Sequence, residues 1–197
     1  MVSEPRRSAG APAVPTSVAL LRGINVGGRH AVAMTDLAAC LADAGLGAVR
    51  TVQQSGNVLM AAGPASGPDL ECAIEAALAD RYGFAVPTLV RSRDELSATV
   101  AAAPPDHGSD ALRSDVFFLK APLTAHEVLD AMPELRDGVD AVAPGPAAIY
   151  FSRVAAEARR TRIQRLMGMP VFRQMTVRSW RTTTRLLELF DEPLPGA

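Results

Sequence analysis

The first half of the chain alternates short apolar runs with segments rich in glycine, proline and polar residues, a pattern that predicts four strands and two helices. A helix at 34–46 is expected to have Thr35 as its N-cap and to end at Gly45 or Gly47, and a second helix is predicted at 67–83. The predicted strands are 17–23, 49–55, 57–62 and 84–91, with a tight turn at Gly56 between the second and third. The order of elements is therefore β-α-β-β-α-β.

The second half repeats this order of elements. Capping-box spacings, Ser92 to Glu95 and Thr124 to Glu127, predict the starts of a linking helix and of a helix at 124–132. The remaining predicted elements are strands at 114–120, 138–144, 147–152 and 175–179, and helices at 155–168 and 180–190.

Two successive units of this kind predict an α+β protein made of two tandem ferredoxin-like (α-β plait, βαββαβ) subdomains with an extra C-terminal helix. The expected organisation begins with a flexible, proline-rich tail at 1–16 and a first ferredoxin-like subdomain at 17–92. A second subdomain, including the linking and C-terminal helices, is expected at 93–190, followed by a tail at 191–197.

A glycine-rich loop, LLRGINVGGRH at 20–30, follows the first predicted strand. In a ferredoxin-like plait the right-handed crossover puts this loop at the same sheet edge as the hairpin between strands two and three, here QSGN at 54–57. Guanidinium, amide and glycine-flanked backbone N–H groups at one edge suit an anionic ligand. The expected ligand-binding residues are Arg22, Gly23, Asn25, Gly27, Gly28, Arg29, Gln54, Ser55, Gly56 and Asn57.

The glycine spacing matches neither known phosphate-binding fingerprint, since the GK[ST] ending of a P-loop and the GxGxxG pattern of a dinucleotide fold are both missing. The alternative is architectural, with the glycines present only because the turn needs positive φ. This alternative leaves the polar side chains beside the glycines without a reason.

Charge is distributed unevenly along a chain whose net charge is only −1. Nine arginines and a single acid, Glu157, lie within 153–185. A basic and aromatic patch is therefore expected at Arg159, Arg162, Arg178, Trp180 and Arg181, with a nucleotide or nucleic acid as the partner. The alternative is that Trp180 belongs to the core and the arginines pair with the more acidic first part of the chain.

Two strands of the second unit carry aromatic pairs that suit either nucleic-acid binding or packing inside the protein. These pairs are Phe117–Phe118 and Tyr150–Phe151. Because successive side chains of a strand point to opposite faces, one member of each pair faces the core of its own subdomain and the other faces outward. The outer members are interpreted as the contact between the two subdomains, and a base-stacking platform is the alternative.

Support for catalysis is confined to His30, the one histidine beside the glycine-rich loop, while His107 and His126 are expected to be solvated. Ser55 with His30 resembles a nucleophile and base, but no GxSxG elbow accompanies them. Cys40 and Cys72 form no CxxC motif, so neither a metal nor another cofactor is expected.

The chain has no apolar run of transmembrane length and no signal-peptide pattern, so a cytoplasmic protein without a membrane partner is expected. The leading interpretation is a binding module for a phosphate-bearing or other anionic ligand, such as a nucleotide or nucleic acid, at the glycine-rich loop. The alternatives are a small enzyme using His30 with Arg22 and loop amides, and a structural or regulatory protein-interaction domain. The sequence does not define the oligomeric state.

The segment ALLRGINVGGRHAVAMTDLAACLADAGLGAVRTVQQSGNVLM at 19–60 resembles the opening of the bacterial family catalogued as domain of unknown function 1697. RGINVGG followed by an SGN turn carries the resemblance, and GFAVPTLVRSRDEL (83–96) and TVRSWRTTTRLLEL (176–189) extend it to roughly residues 17–190. The resemblance implies tandem α-β plaits and no established activity. This chain departs from the family at 154–166, where VAAEARRTRIQRL stands in place of a "GRSKL"-like stretch, so a role for that lysine is not implied here.

Overall fold

Two four-stranded antiparallel sheets, one from each half of the chain, organise this α+β protein. The structure is a computed structural model that describes residues 13–28, 30–61 and 67–195. The first sheet has the strand order β2-β3-β1-β4 and the second the order β6-β7-β5-β8. The strands are β1 Ser17–Leu21, β2 Val49–Val52, β3 Asn57–Met60, β4 Thr88–Ser92, β5 Leu112–Leu119, β6 Asp140–Gly145, β7 Ala148–Val154 and β8 Met175–Ser179.

Helices connect the strands in both halves. The α-helices are α1 Met34–Asp43, α2 Gly67–Tyr82, α3 Arg93–Ala101, α4 Ala125–Asp130, α5 Ile163–Met167 and α6 Trp180–Glu188. Short 3-10 helices follow at Ala155–Arg160, Pro170–Gln174 and Leu189–Asp191. Both predicted capping boxes are present at the starts of α3 and α4, because these signals depend on residues only three positions apart.

Strand alternation divides the apolar side chains among three layers of core. In β1, Ala19 and Leu21 pack against α1 and α2, while Val18 and Leu20 face the second sheet. In β5, Phe118 faces the first sheet and Phe117 lies in a third cluster with α4 and α5. The two sheets therefore share a middle core, which α3 and α6 complete through the buried side chains Leu96 and Leu186.

Several predicted boundaries differ from the structure; β2, for example, ends at Val52 and not at residue 55. Thr35 is not an N-cap, because α1 begins after Ala33 without a side-chain cap. The last strand of the first half starts only at Thr88, just after Pro87, which lacks a backbone N–H for the ladder. The helix predicted at 155–168 is split into a 3-10 helix and α5.

The side chain of Asp140 explains the split in that helix. Asp140 accepts hydrogen bonds from Thr161 Oγ1 (2.6 Å) and from the backbone N–H of Arg162 (2.8 Å). A negative charge is favourable at the N-terminus of a helix, so this carboxylate stabilises a helix start at Ile163. Asp140 is distant in sequence, so a local pattern does not reveal this interruption.

Residues at both ends of the described chain are attached to the protein. Leu194 is buried, and its backbone N–H donates to Ala13 O at 2.8 Å. Glu192 pairs with Arg50 at 2.8 Å. The tail predicted at 191–197 is thus docked as far as it is described, and most of the tail predicted at 1–16 lies outside the described residues.

Candidate functional site

The glycine-rich loop and the β2–β3 turn are neighbours, as the predicted topology requires. The backbone N–H of Leu21 donates to Gly56 O at 2.8 Å, and Asn25 Nδ2 donates to Gln54 O at 3.1 Å. Phe172 and Arg173 of the second half lie against the same loop, as their contacts with Arg22 show. We call this assembly, formed by residues 22–28 and 30 of the loop, the turn 53–57 and Phe172–Arg173, the Arg22 corner. Arg29, an expected ligand contact, lies outside the described residues.

Asn25 holds the loop in shape. Its backbone has a φ of 55°, and its amide donates to Val32 O at 2.9 Å and accepts from Val32 N at 2.8 Å. A non-glycine residue keeps this left-handed conformation only when surrounding contacts enforce it. The Asn25 amide is thus bonded within the protein, where it fixes the geometry of the loop.

Asn57 and Gly56 support the corner from below. Asn57 is fully buried, and its amide donates to Val52 O and Ser55 Oγ, both at 3.0 Å. Gly56 is also buried, and its neighbours leave no room for a side chain. Both residues are covered by protein in the structure described, so they support the corner and do not form its exposed surface.

Arg178, on β8, reaches into the first half and lies beneath the turn. Its guanidinium donates to Leu21 O (2.8 Å), Ser55 O (3.0 Å), Gly56 O (3.2 Å) and Asn57 Oδ1. Burial lowers the pKa of Arg178 to about 10. Among the described residues no carboxylate pairs with it, so backbone and amide dipoles alone stabilise this buried cation.

The surface of the corner is formed by Arg22 and by exposed loop and turn residues. The expected ligand contacts Gly23, Gly27, Gly28, Gln54 and Ser55 are all exposed. Arg22 is half-buried: its Nη1 donates to Arg173 O at 2.8 Å, and its guanidinium lies 4.8 Å from the centre of the Phe172 ring. Burial, and secondarily the charge of Arg173, lowers the pKa of Arg22.

His30 lies at the rim of the corner. Its ring stacks on Phe84 with centroids 4.1 Å apart, and its Nδ1 is 3.3 Å from Gly23 O. Ser55 Oγ accepts from Asn57. No hydrogen bond joins Ser55 to His30 among the described residues, so the nucleophile and base considered from the sequence are not assembled.

A second corner with the same backbone pattern lies in the other half. In each half the residue ending the first strand donates to the hairpin turn, and the next residue donates to the segment before the last strand. These bonds are Leu21 N to Gly56 O (2.8 Å) and Arg22 N to Pro87 O (2.9 Å), then Leu119 N to Ala147 O (2.9 Å) and Lys120 N to Gln174 O (2.8 Å). Lys120 is thus the counterpart of Arg22, and we call its surroundings the Lys120 corner.

A repeated tripeptide, Val-Arg-Ser, links the two corners. It occurs at 90–92 and at 177–179, and in each copy the serine caps the following helix. Arg91 donates across to Leu119 O and Ala147 O, as Arg178 donates to Leu21 O and Gly56 O. Each half therefore inserts one buried arginine into the corner of the other half, and the repeated tripeptide is the sequence signal of this exchange.

The two corners differ in charge. Lys120 Nζ donates to Glu75, lies 3.6 Å from Glu71 Oε2 and donates to Thr88 O at 3.1 Å. At the other corner, the neighbour of Arg22 is a second cation, Arg173, and neither arginine has a carboxylate partner among the described residues. The Lys120 corner is neutralised by its own acids, and the Arg22 corner is not.

The five residues of the expected basic patch do not form one surface. Arg178 is buried at the Arg22 corner, Arg162 pairs with Glu134 at 2.9 Å, and Arg159 is exposed on a 3-10 helix. Trp180 and Arg181 begin α6 and line a separate cleft. Clustering along the sequence is therefore not clustering in space in this segment.

The remaining aromatic and histidine predictions have mixed outcomes. His107 is buried, not solvated, and packs edge-on against Trp180 and Tyr150 with centroids 4.9 and 5.3 Å away; burial lowers its pKa. His126 is exposed as predicted. Phe118 and Tyr150 are buried in the core between the two sheets, so the contact interpretation is confirmed and the base-stacking alternative is wrong.

Across the described part of the chain, no helix is both long and apolar enough to span a membrane.

No relative was found among curated proteins. A solved structure of a conserved bacterial protein from Streptococcus pneumoniae is similar, with a TM-score of 0.79 and 24% sequence identity, covering 91% of this chain and 100% of that chain. That likeness shows a shared fold. The family described as "Protein of unknown function (DUF1697)" matches residues 14–150, more than half of the chain, and the chain belongs to this family.

Proposed function

We propose that this protein is a binding module for a phosphate-bearing or other anionic ligand, and that the ligand binds at the Arg22 corner. The observation that carries the proposal is the difference in charge between the Arg22 corner and the Lys120 corner, which share the same strand-end backbone hydrogen bonds. Glu71 and Glu75 neutralise Lys120, whereas Arg22 is placed beside Arg173 without an acid among the described residues. Two neighbouring guanidinium groups repel each other, and a bound anion relieves that repulsion.

The loop beside Arg22 suits close approach of a ligand to the backbone. Gly23, Gly27 and Gly28 all have positive φ, and apart from the adjacent residues in the chain no atom lies within 4 Å of the position that a Cβ would occupy at any of them. Concave runs of backbone N–H groups in such conformations bind anions. The open space and the unpaired cations thus occur at one place.

The proposal also takes each half to be a ferredoxin-like plait. The strand orders β2-β3-β1-β4 and β6-β7-β5-β8 support it, as do the antiparallel neighbours and the helices between the strands. In such a plait the loop after the first strand and the hairpin turn share an edge. The Arg22 corner would then lie at this edge of the first plait. The second plait would stabilise it through the hydrogen bonds that Arg178 donates to the β2–β3 turn.

The test is a titration of the ¹⁵N-labelled protein with inorganic phosphate and pyrophosphate, followed by amide chemical shifts. We expect saturable shifts at Gly23, Gly27 and Gly28, and none at Lys120. Replacing Arg22 with alanine is expected to weaken binding about tenfold, since a charge-assisted hydrogen bond to phosphate is lost.

The matched control is Arg159→Ala, which removes an exposed arginine of the second half that lies outside the Arg22 corner. Affinity should be unchanged in this variant. The proposal fails if phosphate shifts no loop amide, or if the two variants weaken binding equally, which would indicate unspecific attraction to positive charge.

A further inference from the structure

A second cleft, of about 400 Å³, opens between the start of β5 and the beginning of α6. Its lining includes the indole of Trp180 and the three arginines Arg113, Arg153 and Arg181. Pockets that hold small ligands start at about 300 Å³. The cleft is therefore large enough for a small molecule, and its lining combines an aromatic ring with positive charge.

Trp180 is held firmly in the wall of this cleft. His107 packs perpendicular to it, with an interplanar angle of 88°. On another side the backbone of Gly108 touches the pyrrole edge, so closely that a Cβ there would lie 2.0 Å from Trp180 Cδ1. An aromatic wall that is already fixed loses little conformational freedom when a ligand stacks on it.

The arginines of the cleft differ in whether they are neutralised. Arg153 pairs with Asp115 at 2.7 Å, and this ion pair accounts for the acid that lines the cleft. Arg113 and Arg181 are exposed, and among the described residues neither has a carboxylate partner. The cleft therefore keeps two cations available for an anionic group.

We propose that this cleft binds a nucleoside phosphate, with the base against Trp180 and the phosphate held by Arg113 and Arg181. Stacking on an aromatic ring and pairing with arginines are the two contacts by which proteins hold nucleotides without reading their sequence. The same chemistry is offered by a free mononucleotide and by the end of a single-stranded nucleic acid. This site is separate from the Arg22 corner and does not depend on the function proposed there.

Trp180 is the sole tryptophan of the chain, so its fluorescence reports directly on the cleft. The probes are adenosine 5′-monophosphate, ribose 5-phosphate, which lacks the base, and adenosine, which lacks the phosphate. We expect saturable quenching by the monophosphate, about tenfold weaker quenching by adenosine, and none by ribose 5-phosphate. A short single-stranded oligodeoxyadenylate separates the two sources: tighter binding than the monophosphate indicates nucleic acid, and equal or weaker binding indicates the free nucleotide.

Three arginine variants distinguish a built site from general attraction to positive charge. Arg113→Ala is expected to weaken binding of the monophosphate about fivefold or more. Arg159→Ala and Arg165→Ala each remove an exposed arginine outside the cleft; both should leave the affinity unchanged.

Isothermal titration calorimetry of the Arg22→Ala variant repeats the measurement without relying on fluorescence and without the contribution expected from the Arg22 corner. The proposal is overturned if neither method detects the monophosphate, or if Arg113→Ala and Arg159→Ala have equal effects. Because Trp180 fluorescence follows the cleft and the amide shifts of Gly23, Gly27 and Gly28 follow the Arg22 corner, failure of one proposal can be told from failure of the other.

Discussion

Arg91 and Arg178 show how a single residue type connects the halves of this protein. Each lies buried on the last strand of its half and donates to carbonyls of the opposite half. The guanidinium group suits this role because it presents five N–H donors in a rigid fork, and backbone carbonyls are spaced to accept them.

Arg178→Lys is expected to lower the free energy of unfolding by about 3 kcal/mol. An ammonium group cannot serve acceptors spread over Leu21, Ser55 and Gly56, and each buried carbonyl left without a donor costs about 1–3 kcal/mol. Urea denaturation followed by far-UV circular dichroism measures the loss. Arg181→Lys, at an exposed position three residues along, is the control and should change stability by less than about 0.5 kcal/mol. Equal stability of the two variants would show that the carbonyl contacts contribute little.

For individual residues, the sequence predicted which of them lie close together at the Arg22 corner, but it did not predict which of them are buried. The proximity of the glycine-rich loop and the β2–β3 turn followed from topology and is confirmed. The burial of Asn57 follows from Arg178, which is distant in the chain. Arg173 and Phe172, which contact Arg22, gave no sequence signal because they belong to the other half.

The β2–β3 turn is the element on which the corner's shape depends most directly. Gly56 has a φ of 74°, and a Cβ added there would lie 2.9 Å from both Leu21 Cβ and Ile24 Cδ1. The turn therefore needs glycine for two reasons, conformation and lack of space. Gly45, at the end of α1, has a similar φ of 78° with nothing within 4 Å of a Cβ.

Alanine substitutions at these two glycines separate the two reasons. Gly45→Ala should cost about 1 kcal/mol of unfolding free energy, because only the left-handed backbone is penalised. Gly56→Ala should cost about 3 kcal/mol, because the loop must also move away from the new methyl group. Thermal and urea unfolding of both variants gives the comparison. Equal losses would mean that the loop yields freely, and the corner would then be far less rigid than its contacts indicate.

Elements defined by local signals were predicted well, and those interrupted from a distance were not. Strand β8 lies where the sequence predicts it, and α3 begins at its capping box. The helix predicted at 155–168 failed because the carboxylate of Asp140 accepts the N–H of Arg162, a contact no local window contains.

The two halves share one middle core, so neither presents a complete surface of its own. Val18 and Leu20 of β1 are in the same buried cluster as Val116 and Phe118 of β5. This explains why β1 and β5 are apolar on both faces, since one face packs against helices and the other against the opposite sheet. The sequence shows the apolar runs but does not show what each face packs against. The chain should therefore unfold as a unit.

A single transition is expected when Trp180 fluorescence and far-UV circular dichroism are followed together in urea. Fluorescence reports only on the second half, while dichroism reports on both halves. Coincident midpoints would reflect the shared core and the arginines crossing it. Separate midpoints would show that the halves are thermodynamically independent and that the shared core stabilises them little.

The repeated corners make the molecule its own reference for electrostatics. An anion approaching the protein meets two backbone frames with the same strand-end hydrogen bonds, one neutralised by Glu71 and Glu75 and one carrying Arg22 beside Arg173. A preference for one frame over the other reflects the charge together with the glycine-rich loop beside Arg22, because the strand-end hydrogen bonds are common to both frames. A comparison that normally needs two related proteins can therefore be made within one chain.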